Sequence, residues 1–137
     1  MYSGFEHLKH PQKSAQEVYR VLKKGGHILV TAPQINELHE EPNDFFRYTK
    51  YGLSVVFEDA GFSVVESVQR GGFFTVIAQL KIRYLIDKMQ LYKKPVFGRV
   101  ISKFLAVYGL VMLWLDKIDT GSANKKHTLG WCFVFKK

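Results

Sequence analysis

Segments with a helical repeat of apolar residues alternate with short β-branched segments in the first half of this 137-residue chain. Apolar residues within residues 11–25 recur at the i, i+3, i+4 and i+7 positions of a helix, which ends at Gly25-Gly26. His27–Pro33 is short, β-branched and closed by proline, as is typical of a buried strand. A second helix at residues 49–60 and a second strand at residues 62–69 repeat this order. The alternation predicts an α/β sheet.

The second half of the sequence carries two longer helical segments and a final strand. Residues 73–92 are predicted to form a helix with basic residues, and residues 95–116 a very apolar helix. The uninterrupted apolar run, 104–115, is shorter than the ~20 residues that span a bilayer. "HTLGWCFVFKK" predicts a closing strand, free to pair antiparallel after the helices. We therefore predict a single domain, 1–137, with about three strands, no strand before the first helix, and a helical insertion at 73–118.

Composition limits the class of protein. The formal charge of +8 favours attraction to phosphates, acidic lipids or an acidic partner. Cys132 is the single cysteine, so no internal disulfide forms and a reducing cytoplasm is expected. The amino terminus lacks a signal-peptide pattern. No nucleic-acid-binding motif accompanies the charge, so nucleic acid is not predicted as a partner.

Several motifs in order along residues 5–72 resemble class I S-adenosylmethionine-dependent methyltransferases. Glu6-His7-Leu8 resembles the end of that family's fourth strand, and "RVLKKGG" the end of the following helix. "HEEPNDFFRYT", residues 39–49, resembles a connector found in one branch of the family. The resemblance covers only the family's carboxy-terminal half. It implies a partial Rossmann-like methyltransferase sheet and methyl transfer to a small-molecule or sugar-like acceptor.

The same resemblance places the cofactor site mainly in a first half that this sequence lacks. The family's glycine-rich turn, which lets backbone amides approach the ligand, has no counterpart here. S-adenosylmethionine is therefore the implied cofactor, yet none is expected to bind this chain alone. We expect a truncated half-domain that works with a separate amino-terminal half, or a non-catalytic remnant that acts through self-association, a partner chain or a membrane surface.

The resemblance also supplies candidate site residues. Glu6 and His7 are weak cofactor-binding candidates at the lip of the fourth strand. A histidine or carboxylate of the connector could accept a proton from the acceptor, and an arginine could hold an acidic group in a two-pronged contact. The acceptor-side candidates are His39, Asp44, Arg47 and Tyr48.

A structural interpretation of the connector stays open beside the catalytic one. Arg47 could pair with a neighbouring carboxylate, and Thr49 could cap the next helix. Residues such as Pro42 and Asp44 would then serve only to turn the chain. No Cys/His cluster in the sequence suggests a metal site.

The apolar helix at residues 95–116 is predicted to be buried on most sides, because its apolar residues occupy more than one face. Burial in the core or in an interface between copies is the favoured prediction, and a twofold dimer is the simplest homo-oligomer. An open strand edge would favour the same association. A weaker alternative is contact with a membrane surface, for which Trp114 near the helix end is suited.

Overall fold

The computed structural model describes residues 2–137, which divide into two compact units. The sheet unit comprises the residues up to Arg70 together with Leu129–Lys137. The hairpin unit comprises Gly71–Thr128, and so contains the predicted insertion at residues 73–118.

Four strands form one sheet in the sheet unit. β4 lies between β2 and β3 and is antiparallel to both, while β1 is parallel to β2. The antiparallel pairing of the last strand is as predicted. A Rossmann-like sheet is mostly parallel, whereas most strand pairs here are antiparallel. The described strands therefore show a mixed α/β fold but not the predicted Rossmann-like sheet. The strands are β1 (Tyr2–Ser3), β2 (His27–Pro33), β3 (Ser63–Gln69) and β4 (Gly130–Lys136).

β1 corrects the prediction that no strand precedes the first helix. Tyr2 and Ser3 pair with Val30 and Thr31 of β2. Two residues are too few to show a strand periodicity, so only the pairing partner reveals them. A 3₁₀ turn, Phe5–His7, follows at once and begins the polar region described below.

The helices begin and end largely where their local signals predict. In the sheet unit, the Thr49 hydroxyl caps α2 by accepting a hydrogen bond from the Gly52 N–H at 3.1 Å. Gly25 adopts a φ of 75° after the first helix, a conformation that favours glycine. The helices are α1 (Pro11–Val21), α2 (Lys50–Glu58), α3 (Phe73–Met89), α4 (Pro95–Ile118) and the short α5 (Ser122–Lys125).

Aromatic rings form the core of the sheet unit. Phe135 stacks on Phe57 of α2 at 4.3 Å and on Phe133 at 5.1 Å between centroids, and all three are buried. Phe5 of the 3₁₀ turn packs on Phe57 at 5.0 Å and on Tyr48 at 5.7 Å. These contacts anchor both the 3₁₀ turn and the end of the β2–α2 connector on one core.

The first turn of α3 is capped by side chains from later in the hairpin unit. The Asp116 carboxylate of α4 accepts hydrogen bonds from the N–H groups of Gly72, Phe74 and Thr75 at 2.8–3.0 Å. Asn124 Oδ1 accepts one from the Phe73 N–H at 2.6 Å. The unpaired N–H groups at a helix start are thereby satisfied, and α3 is fixed against α4.

Helix α4 is far more exposed than the sequence predicts. Gly98 is its one buried residue, whereas Val96, Phe104, Leu110 and Trp114 expose 76, 72, 66 and 59% of their surface. Burial in the chain's own core is therefore wrong, because α3 covers α4 on one side only. With 24 residues, α4 is about 36 Å long. By length and composition it could cross a membrane, whereas the uninterrupted apolar run at residues 104–115 is too short to do so.

The Asp116 cap gives a pH-dependent prediction. Burial alone would raise the pKa of Asp116, but the Thr75 side chain and the backbone N–H groups outweigh it and lower the pKa below its ordinary value. The ionised carboxylate therefore stabilises the folded state above about pH 4, and this contribution is lost as the pH falls below that value. Asp116→Asn should lower the free energy of unfolding by about 1–2 kcal/mol at pH 7.

Urea unfolding at pH 7 and at about pH 2, well below the ordinary pKa of an aspartate, measures this effect. The difference between the wild type and Asp116→Asn should shrink in acid, because the wild-type carboxyl is then protonated as well. Asp87→Asn, an exposed aspartate on α3, is the matched control and should change stability little at either pH. An equal loss at both pH values would contradict the role of the charge.

Candidate functional site

Main-chain hydrogen bonds bring the β2–α2 connector against the 3₁₀ turn. The N–H groups of Phe45 and Phe46 both donate to the carbonyl oxygen of Glu6, at 3.1 and 3.2 Å. The Tyr48 N–H donates to the carbonyl of Pro33 at the end of β2. As a result the side chains of Glu6 and His7 meet those of the connector, although more than 30 residues separate them in sequence.

Asp44 and Arg47 form a two-pronged ion pair that holds the connector in shape. The two guanidinium NH₂ groups donate to the two carboxylate oxygens at 2.6 and 2.7 Å, and the Asp44 side chain is 1% exposed. Asp44 also accepts a hydrogen bond from the backbone N–H of His39 at 3.0 Å. Hydrogen bonds from Arg47 hold the pKa of Asp44 far below its usual range despite burial, so the carboxylate stays ionised.

The remaining donors of Arg47 are also used within the connector. They reach the carbonyl oxygens of Glu37 at 2.8 Å, Phe46 at 2.9 Å and Asn36 at 3.4 Å. Since a guanidinium has five N–H donors, these bonds together with the Asp44 pair occupy all of them. The arrangement favours the structural interpretation of Asp44 and Arg47 over a direct contact with an acceptor.

Tyr48 also points inward. Its ring is 6% exposed, and its buried hydroxyl has no hydrogen-bond partner. Burial, and then the nearby Glu6 carboxylate, raise the pKa of Tyr48 to about 12, so the hydroxyl stays protonated at neutral pH. Its packing against Phe5 makes it a core residue rather than one that lines an exposed loop.

His7 and His39 lie close together beside the Glu6 carboxylate. The two imidazoles meet edge to face with centroids 4.9 Å apart. Nε2 of each lies 3.7 Å from Glu6 Oε1, and Glu40 Oε2 lies 3.8 Å from Nε2 of His7. Glu6, His7 and His39 thus offer three ligand atoms within 4.8 Å of one another. This group could share a proton or hold a cation.

The structure regroups the candidates that the sequence had separated. Glu6 and His7, predicted on the cofactor side, lie beside His39 from the predicted acceptor side. Asp44 and Arg47 instead hold the connector in shape, and Tyr48 packs in the core. The facing position of Glu40 was missed, because it arises from a contact across the fold. One signal was available: Glu6-His7 and His39-Glu40 are the only adjacent glutamate–histidine pairs in the sequence.

Comparisons with known proteins give a weak likeness. No protein-family model matches the chain, and no curated protein matches it. One solved structure similar to it is that of the [4+2]-cyclase SpnF, with 17% sequence identity and a TM-score of 0.46. The match covers 98% of this chain and 47% of that one, so the chain spans about half the length of that structure. This is a weak link to a fold and not to a function.

The expected membership of the class I methyltransferase family, as its carboxy-terminal half, is therefore wrong. Neither a family model nor a curated protein supports it. The motifs that carried the resemblance have local explanations. "RVLKKGG" ends α1 at the left-handed Gly25, and residues 39–49 are the connector held by Asp44 and Arg47. The roles of Glu6, His7 and His39 therefore have to be inferred from their positions in the structure and not from a family.

The ion pair in the connector makes a prediction about stability. Asp44→Asn leaves the Arg47 guanidinium without its charge partner and should lower the free energy of unfolding by about 2–3 kcal/mol. Urea unfolding at pH 7 measures the loss. Glu41→Gln changes an exposed carboxylate of the same connector and should leave stability nearly unchanged. Equal stability of both variants would show that the pair does not hold the connector.

Proposed function

We propose that the chain associates with acidic membrane surfaces through its hairpin unit. The observation that carries this proposal is an exposed apolar stripe along α4 in a unit that bears nearly all of the chain's net charge. The argument rests on the hairpin unit alone.

The apolar stripe follows the helical repeat of α4. Its residues recur at intervals of three or four, which places them on one side of the helix. Each exposes about half or more of its surface, from 49% for Val111 to 76% for Val96. A continuous apolar surface of this length marks a contact with a partner or a membrane. The stripe consists of Val96, Val100, Phe104, Val107, Val111, Trp114 and Ile118.

The charge of the hairpin unit favours an acidic lipid surface as the partner. Gly71–Thr128 contains ten lysines and arginines and three aspartates, a net charge of +7 out of the chain's +8. Lys93 and Lys94 immediately precede α4, and Lys117 lies in its last turn. Basic residues beside an apolar face are typical of helices that lie in a membrane interface. Each basic residue near an anionic leaflet contributes about 1 kcal/mol.

An apolar groove between α3 and α4 adds to this surface. It has a volume of about 570 Å³ and is lined mainly by alanine, isoleucine and leucine side chains of the two helices, among them Ala78, Ile82, Leu105 and Leu113. Gly109 lines the groove on the α4 side. An apolar groove of this kind suits an acyl chain or an apolar side chain of a partner.

A second copy of the chain is the alternative cover for the stripe, as in the predicted homo-oligomer. Two facing hairpin units would bring together two charges of +7 with few acidic groups to offset them. Like charges at an interface oppose association. An anionic bilayer instead supplies both an apolar layer and the opposite charge, which is why it is the preferred partner.

Vesicle flotation tests the proposal. The chain should float with vesicles of phosphatidylcholine and phosphatidylserine and bind much less to phosphatidylcholine alone. Added salt should weaken binding, because the charged contribution is screened. Val107→Asp in the stripe should reduce binding by at least about tenfold, since it replaces a buried apolar contact by a charge.

Val65→Asp is the matched control for Val107→Asp. Val65 is 54% exposed on β3 in the sheet unit, and Val107 is 60% exposed on α4, so neither change disturbs a core. Val65→Asp should float like the wild type. Light scattering without vesicles gives the contrary outcome: a stable dimer that Val107→Asp dissociates, together with no flotation, would assign the stripe to a second copy of the chain.

A further inference from the structure

We propose that Glu6, His7 and His39 bind a divalent transition-metal ion of the zinc type. This site lies in the sheet unit, and the proposal is independent of membrane association. No metal site was predicted from the sequence, because two of the ligands come from the 3₁₀ turn and the third from the connector.

The hydrogen bonds of both histidines select the tautomer that a metal requires. Nδ1 of His7 lies 2.7 Å from the carbonyl oxygen of Asn43, and Nδ1 of His39 lies 3.0 Å from that of Glu37. A carbonyl oxygen can only accept, so the proton of His7 belongs on Nδ1. In His39 the Glu37 carbonyl and the Asp44 carboxylate, 3.4 Å from Nδ1, favour the same tautomer over the more distant Asn36 side-chain amide at 3.5 Å. The lone pair then belongs to Nε2. Metal-bound histidines are oriented in the same way, by donating the other ring N–H to a backbone carbonyl.

Both Nε2 atoms face the same carboxylate oxygen at a distance that suits an intervening ion. Each lies 3.7 Å from Glu6 Oε1, which is too long for a hydrogen bond. Ligand atoms about 2.0–2.1 Å from a tetrahedral zinc ion are about 3.3 Å from one another. Glu6 Oε1 and the two Nε2 atoms all lie within 4.8 Å of one another, so side-chain movements alone would bring them to this spacing.

Glu6 supplies the negative charge that such a site needs. The residue is 7% exposed, and its Oε2 atom is buried without a hydrogen-bond partner. A buried carboxylate oxygen without a partner is unfavourable. A cation held between Glu6 and the two imidazoles would remove that deficiency. Two imidazoles and a carboxylate are ligands typical of zinc and its neighbours rather than of magnesium or calcium.

The surrounding connector holds the ligands in place. The Asp44 carboxylate accepts the His39 backbone N–H, and the Phe45 and Phe46 N–H groups bind the Glu6 carbonyl. Because Asp44 is itself fixed by Arg47, these residues are positioning residues for the site. Three protein ligands leave a fourth position for water, with the exposed carboxylate of Glu40 3.8 Å from His7 Nε2. Zinc sites with three protein ligands and one open position are those found in catalysis.

Calorimetric titration of the full chain, after treatment with a chelator, tests the site. Zinc chloride should bind with one-to-one stoichiometry, and magnesium chloride should give no heat. Cobalt chloride should produce the visible absorption of a tetrahedral complex. His39→Gln and Glu6→Gln should each weaken zinc binding by about tenfold or more, with loss of the cobalt spectrum.

His127→Gln is the control, because His127 is an exposed histidine of the hairpin unit. It should leave the titration unchanged. If Glu6→Gln fails to fold by circular dichroism, the partly exposed His39 still tests the site through His39→Gln. Undiminished zinc binding in His39→Gln, or no binding by the wild type, would overturn the proposal. A loss in His127→Gln would also overturn it by showing that surface histidines bind the ion.

Discussion

The two units of the chain differ in how completely they bury their apolar side chains. In the sheet unit, Phe57, Phe133 and Phe135 stack together out of reach of solvent. In the hairpin unit, α4 rests on α3 and leaves its opposite side uncovered. This uncovered side is the main physical constraint on function. Its long apolar surface, combined with a charge of +7, is the basis of our proposal that the partner is both apolar and anionic.

The polar region in the sheet unit depends on a different interaction, the ion pair between Asp44 and Arg47. This pair satisfies two charges within the connector and fixes the backbone of His39. The connector in turn binds the main chain of Glu6. His39, an acceptor-side candidate from the sequence, therefore joins Glu6 and His7 in the proposed metal site, while Asp44 and Arg47 hold the connector beside it.

Local patterns in the sequence predicted the local elements well. The apolar repeat in α1, the β-branched strand β2 and the Thr49 cap of α2 each follow from interactions among residues close in sequence. The antiparallel final strand was also predicted, because a long helical segment precedes it. Strand β1 was missed, since its two residues become a strand only through pairing with β2.

Tertiary contacts explain what the sequence did not predict. A sequence that is apolar on several helix faces predicts a buried helix. Whether other elements pack against α4 depends on the rest of the fold, and most of α4 is left exposed. The approach of His7 to His39 depends on the 3₁₀ turn and the connector meeting on the aromatic core. The family resemblance rested on motifs that also serve as a helix stop and a chain turn. Such motifs alone do not identify a family.

Tryptophan quenching by brominated lipids tests membrane insertion of α4 most directly. The Trp131→Phe variant keeps Trp114, in the apolar stripe, as its one tryptophan. In vesicles that contain phosphatidylserine, its emission should shift to the blue and be quenched by bromine on the acyl chains. The same variant with Val107→Asp should lose both effects. An emission that no bromine position quenches, although the chain floats with the vesicles, would contradict insertion of the stripe.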